Sequence, residues 1–155
     1  MESTAHRACA IVADDDPIVR GALRANLEWR TECDGRTMGV LQADNGQEAV
    51  RLASQVQASL VILDIRMPKL DGLAACACIR ALAGYETTPI VILTLDGAAR
   101  TRQCATEAGA TMYLVKPFGA RTLMLALSKL LPATVLPAKH MSDDNALPDL
   151  FRVTG

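Results

Sequence analysis

The chain has almost no net charge: 16 Lys and Arg stand against 17 Asp and Glu, a formal charge of −1. That balance gives no general attraction to nucleic acid or to anionic membrane surfaces. No apolar run approaches the ~18 residues that a membrane-crossing helix needs. The N-terminal MESTAHR leads straight into a short apolar strand, with no separate hydrophobic region or cleavage site, so no secretory signal is expected. There is no CxxC, and the cysteine count of 5 is odd. Cys76 and Cys78 are two apart in a helical pattern, where neighbours point away from each other, which argues against a shared metal. Reduced, mostly buried thiols in a cytoplasmic protein are expected, with Cys9, Cys76 and Cys104 in apolar surroundings. Internal repeats are also missing.

What is present is ample for one domain: 155 residues, 50% of them hydrophobic. Five short apolar runs, at 8–13, 38–43, 59–63, 89–93 and 112–115, alternate with amphipathic stretches. The stretches at 17–29, 71–82, 97–108 and 120–131 read as helices, and another opens at Asn45. Asn45 is expected to cap that helix with Glu48 as its capping-box partner, and Gly109 to end the fourth. The first, third and fourth runs are almost continuously hydrophobic, as strands covered on both faces are. Strict alternation predicts an α/β fold with a five-stranded doubly wound parallel sheet. Residues 30–37 (RTECDGRT) read as a polar loop. From Pro132 the periodicity fades, so residues 1–131 are expected to form the domain and 132–155 a tail or linker. Within the tail, Leu147, Leu150 and Phe151 have the spacing of a short docking helix.

The strand ends carry the chemistry. The stretch LVILDIRMPKLDG (60–72) is an apolar strand that stops on Asp64, followed by a Met-Pro turn. The first strand ends in Asp14-Asp15-Asp16-Pro17, the fourth in Thr94, the fifth in Lys116-Pro117. In a doubly wound sheet, ligands bind outside the carboxyl ends of the strands, at the switch in strand order. There Asp14, Asp15 and Asp64 would converge. Like charges a few Å apart repel strongly, so Lys116 and a hard divalent cation, Mg²⁺, are expected to compensate them. A carboxylate at such a site can attack phosphorus, with Thr94 and Lys116 holding phosphoryl oxygens. Asp16 and Asp71 are instead placed to cap the helices that follow them.

These pieces resemble the receiver domain of two-component response regulators, similar to the stand-alone chemotaxis-type receivers. The resemblance rests on VADDDPIVR (12–20), LDIRMPKLDG (63–72), ILT (92–94) and GATMYLVKPF (109–118), and spans about residues 8–131. It implies a flavodoxin-like (βα)5 fold with strand order 2-1-3-4-5. It implies that Asp64 accepts a phosphoryl group from a sensor histidine kinase or phosphotransfer protein. Mg²⁺ would be held by Asp15, Asp64 and the main-chain carbonyl of Arg66, with Asp14 acting through water. Thr94 and Lys116 would contact the phosphoryl group. Thr94 and Tyr113 would be the switch residues, remodelling the face of the fourth helix, fifth strand and fifth helix for a downstream partner protein. The Lys116–Pro117 bond would be cis, and self-dephosphorylation slow.

Three departures from that family stand out: Leu95, Arg66 and a loop at 30–37 several residues longer than usual. Leu95 replaces a usually small residue and is expected to shield the site and to compete with Tyr113 for its inward position. Arg66 is expected to extend over the site and affect hydrolysis. Two other readings stay open on sequence: a degenerate receiver used as a scaffold, and a Mg²⁺-dependent phosphohydrolase with Asp14 as nucleophile. No direct nucleic-acid binding and no membrane are expected, and a second copy of the chain is a candidate partner. The sequence is compatible with a stand-alone receiver and with a receiver from a larger regulator.

Overall fold

The computed structural model describes residues 7–30 and 37–132. The element order is β1 (Arg7–Ala13), α1 (Pro17–Leu27), β2 (Trp29–Arg30), β3 (Thr37–Ala43), α2 (Gly46–Gln55), β4 (Leu60–Asp64), α3 (Gly72–Arg80), β5 (Ile90–Thr94), α4 (Ala99–Glu107), β6 (Met112–Val115) and α5 (Ala120–Leu130). The sheet order is β2-β3-β1-β4-β5-β6. The five strands β3, β1, β4, β5 and β6 pair in parallel, so the expected 2-1-3-4-5 order is present.

One strand was not expected. The first helix stops at Leu27, with Glu28 as its C-cap in extended conformation. The chain then turns back, and Trp29 and Arg30 pair antiparallel with Met38 and Thr37. The edge of β3 offers unpaired backbone groups, and a two-residue strand is enough to occupy some of them. So short a segment has no periodicity to read, which is why Trp29 looked helical and Arg30 like loop. Residues 31–36 of the expected polar loop lie outside the described residues. So do Cys33, the N-terminal residues 1–6 and the tail from 133 onward, with Leu147, Leu150 and Phe151.

Each strand feeds two cores because its side chains alternate across the sheet. Ala10 and Val12 of β1, Leu60 and Ile62 of β4, and Val91 and Leu93 of β5 face the side covered by α1 and α5. Ile11, Ala13, Val61, Leu63, Ile90 and Ile92 face the side covered by α2, α3 and α4. Every residue of β4 and β5 is buried. That burial explains why these two strands read as unbroken apolar runs. Cys76 is buried, and burial pushes its thiol up to about 11, so it is an inert core group. Cys9 and Cys104 are only half-buried, and Cys78 is exposed. Among the described residues no helix is long and apolar enough to cross a membrane.

The helix starts follow the caps foreseen in the sequence. Asp16 accepts from the Ile18 N–H at 2.9 Å, Asn45 from Glu48 at 2.9 Å and Asp71 from Ala74 at 2.8 Å. The expected capping-box return from Glu48 is not made: its carboxylate pairs with Arg51 one turn on, which draws it away from the Asn45 N–H. Gly109 follows α4 at φ 94° and its carbonyl accepts from Arg80, so the turn needs glycine there.

The Asp71-Gly72 pair fixes the loop behind Asp64. The Gly72 N–H donates to the Ile65 carbonyl at 2.9 Å. A Cβ on Gly72 would stand 2.0 Å from the Asp64 carbonyl oxygen. The backbone therefore approaches too closely for any side chain. Gly72→Ala is expected to cost at least the ~1–3 kcal/mol typical of overpacking, read as a lower denaturation midpoint; an unchanged midpoint would contradict this packing.

Candidate functional site

The parallel order sets β1 and β4 side by side and leaves β5 and β6 next in line, so the carboxyl ends of four strands share one rim. The rim encloses a pocket of about 330 Å³ lined by Asp14, Asp15, Asp64, Arg66, Thr94 and Lys116, together with Leu95, Asp96 and Thr101. Six of the seven site residues expected from sequence thus meet in one place. The seventh, Tyr113, lies on β6 and is packed in the core on the α4 side.

Three of these groups are buried: Asp14 is 1% exposed, Asp64 7% and Thr94 4%. Asp15 is exposed at the mouth. The Lys116 ammonium stands 2.8 Å from Asp14 Oδ2 and 3.2 Å from Asp64 Oδ1. The Lys116 main-chain N–H donates to the Thr94 carbonyl at 2.7 Å, so the β5–β6 pairing runs on past the strand end and fixes the lysine. The Lys116–Pro117 peptide is cis, as expected. Asp14 is held on every side: Oδ1 accepts from the Asp16 N–H at 2.9 Å, and its carbonyl accepts from Arg20 at 2.7 Å.

The electrostatics follow from this crowding. Burial raises the Asp64 carboxyl above its ordinary value, and the charges of Asp14 and Asp15 add to that, against the pull of Lys116. Burial alone depresses an ammonium, but at Lys116 the hydrogen bond to Asp14 and the charge of Asp64 outweigh it, and the net shift is upward. Lys116 therefore stays charged, while the cluster as a whole keeps an excess of negative charge. One oxygen each from Asp14, Asp15 and Asp64 lies within 4.8 Å of the others. An all-oxygen, carboxylate-rich donor set of this kind suits a hard cation such as Mg²⁺ and not a thiophilic metal.

Two features were not read from the sequence. Asp96 borders the pocket two residues after Thr94. Its carboxylate accepts from the Ala98 N–H at 2.8 Å and the Thr101 hydroxyl at 2.7 Å. An Asp at the start of a loop with Thr five residues on was the available signal, but it is common before helices. Leu95, expected to shield the site and to compete with Tyr113, borders the pocket at 69% exposure, while Tyr113 is 5% exposed under the Arg102 guanidinium. Leu95 does not keep the Tyr113 ring out of the core.

Comparison with known proteins agrees with this arrangement. The response regulator receiver domain family matches residues 10–128. The transcriptional regulatory protein SrrA of Staphylococcus aureus is 31% identical over 136 residues, 88% of this chain and 53% of that protein. The chain spans about half the length of the curated relatives it matches. Among solved structures, the chemotaxis protein CheY4 of Vibrio cholerae is similar with a TM-score of 0.71 and 30% identity, over 81% of this chain and 99% of that one. The receiver domain of the sensor histidine kinase PA1611 of Pseudomonas aeruginosa has a magnesium ion coordinated in its active-site cleft. It gives a TM-score of 0.68 at 27% identity over 79% of this chain and 96% of that one. With the parallel order of its sheet, its acid cluster and a lysine bridging two of those acids, this chain belongs to the receiver domain family of two-component response regulators.

Proposed function

We propose that Asp64 is the phosphoacceptor of a phosphorylation switch. An Asp64 oxygen attacks the phosphorus of a phosphohistidine on a sensor kinase or phosphotransfer protein. The P–N bond breaks, an acyl phosphate forms, and the imidazole nitrogen leaves with the electron pair. Lys116, already 3.2 Å from Asp64, holds one phosphoryl oxygen by a charge-assisted bond. The Thr94 hydroxyl holds another. Asp15, Asp64 and the Arg66 main-chain carbonyl hold Mg²⁺, with Asp14 acting through water. The ion, when bound, neutralises charge at the transferring group. Asp14 is suited to the indirect role because Asp16 and Lys116 already occupy one of its oxygens each.

The observation that carries this reading is the difference between the two buried acids. Asp14 is committed to the protein on both oxygens, whereas Asp64 opens to the pocket with Lys116 beside it. The same difference disfavours a phosphohydrolase with Asp14 as nucleophile. A protein donor is supported by an apolar groove along α1 and the start of α5, lined by Ile18, Val19, Leu23 and Phe118. Ile18 is 80% exposed there, and Lys116 borders both groove and pocket. Output would pass through the face of α4, β6 and α5, where Tyr113 sits, to a downstream protein or a second copy of the chain. We place the protein in the cytoplasm, with residues 1–131 as the receiver unit and 132–155 as tail or linker. Self-dephosphorylation is slow in this reading, with Arg66 and Leu95 at the pocket affecting its rate.

Intact mass after incubation with Mg²⁺ and acetyl phosphate tests the acceptor. The expected result is one phosphoryl group on the wild type and none on Asp64→Asn. Equal labelling of both, or continuous turnover of a phosphomonoester, would sink it. Lys116→Ala is expected still to accept a phosphoryl group while losing the phosphorylation-dependent gain in partner affinity; a normal gain would refute its role.

The raised Asp64 carboxyl fixes a pH dependence. A folded-state value above the unfolded one means that the folded protein binds this proton more readily, so ionising Asp64 destabilises the fold as pH rises between the two values. Without Mg²⁺, Asp64→Asn is expected to melt higher than wild type at neutral pH. The gain should vanish as pH falls below the ordinary carboxylate range. A variant that melts lower than wild type at neutral pH would overturn this.

A further inference from the structure

We infer that Asp96 is a positioning residue that latches the Thr94 hydroxyl away from the phosphoryl site and ties its release to the first turn of α4. The inference rests on the phosphoacceptor reading above. Thr94 Oγ1 is used twice by the backbone of one residue: it accepts from the Asp96 N–H at 3.0 Å and donates to the Asp96 carbonyl at 3.1 Å. To donate to a phosphoryl oxygen, that hydroxyl must give up the Asp96 carbonyl. Whether the 94–96 backbone yields depends on what holds Asp96.

Its own side chain holds it. Asp96 Oδ1 accepts from the Ala98 N–H at 2.8 Å, and Oδ2 accepts from the Thr101 hydroxyl at 2.7 Å. Thr101 lies in the opening turn of α4. The carboxylate stays ionised because the Thr101 hydroxyl and then the Ala98 N–H hold it below the usual range, with the Arg66 charge contributing. The α4 helix depends on this contact, since its N-cap residue is Ala98, which has no side-chain acceptor. Hydroxyl, loop backbone, carboxylate and helix turn form one chain of four hydrogen bonds. The second core half lies beneath it, where Tyr113 packs with Ala105 of α4. Moving Thr94 toward the pocket therefore strains the seat of α4, and loosening that seat frees Thr94.

The latch differs from a simple charge effect, because Asp96 also places a negative group on the pocket wall. The two ideas separate by substitution. Asp96→Asn removes the charge and keeps both arms, with the amide oxygen accepting from the Ala98 N–H and the amide NH2 donating to the Thr101 hydroxyl oxygen. Asp96→Ala removes the charge and both arms. Thr101→Val keeps the charge and removes one arm of the latch.

The test is calorimetric titration of the full chain with beryllofluoride, a tetrahedral stand-in for a phosphoryl group, in saturating Mg²⁺. Losing a hydrogen bond that only the latched state makes is expected to lower the half-saturating concentration by roughly 2- to 10-fold. Asp96→Ala and Thr101→Val should both show that gain, and Asp96→Asn should stay close to wild type. Half-saturation by Mg²⁺ alone should not move in Thr101→Val, a readout that general loosening of the fold would disturb. A gain in Asp96→Asn equal to that in Asp96→Ala, with none in Thr101→Val, would overturn the latch in favour of charge. Wild-type affinity in all three variants would also overturn it while leaving Asp64 as acceptor intact. Failure of the wild type itself to bind beryllofluoride would instead remove the phosphoacceptor reading and the latch with it.

Discussion

The Lys116 ammonium stands 2.8 Å from Asp14 and 3.2 Å from Asp64, and the rest of the carboxyl rim depends on that position. Two carboxylates nearly out of water would each suffer a desolvation penalty and repel the other. One cation between them offsets part of both effects. Removing one partner from a buried ionic cluster typically costs about 3–5 kcal/mol, because charge is left without compensation. The compensation is incomplete here, since Asp15 adds a third carboxylate within 4.8 Å. The residual negative charge is the physical basis of the proposed Mg²⁺ site and of the proposal that Asp64 accepts a phosphoryl group once that charge is balanced.

Position is inherited from the sheet. Asp14 and Asp64 end adjacent strands, and Lys116 is fixed because its own main chain continues the β5–β6 pairing. Behind them Gly72 permits a backbone approach that no side chain could survive. The pocket is thus built on strand ends and the turns that follow them. Thr94 has a second attachment. Its carbonyl anchors Lys116 while its hydroxyl belongs to the loop that leads to α4. One residue therefore links the charged centre to the loop that leads into α4, on the proposed output face.

Much of this was legible in the sequence, for physical reasons. Strands buried on both faces leave unbroken apolar runs, so β4 and β5 announced themselves, and the polar residue that ended each run marked the rim. Asp16, Asn45 and Asp71 were readable as caps because their side chains bond backbone only two or three residues away. The two-residue strand at Trp29–Arg30 was not readable, because its partner, the edge of β3, supplies its only reason to exist. Asp96 was missed for a related reason: its importance lies in what Thr94 does with its backbone, which no residue type encodes. Bulk alone does not tell how Leu95 sits: it borders the pocket at 69% exposure, while the Tyr113 ring packs in the core.

Thermal melting of Lys116→Met, with and without Mg²⁺, tests the charge balance most directly. If Lys116 supplies the fixed share of compensation, the variant melts below wild type in the absence of Mg²⁺, and Mg²⁺ raises its melting temperature by more than it raises that of wild type. If the variant melts with wild type in the absence of Mg²⁺ and gains no more from the ion, the three carboxylates do not need the lysine, and the charge balance placed at the centre of this site is wrong.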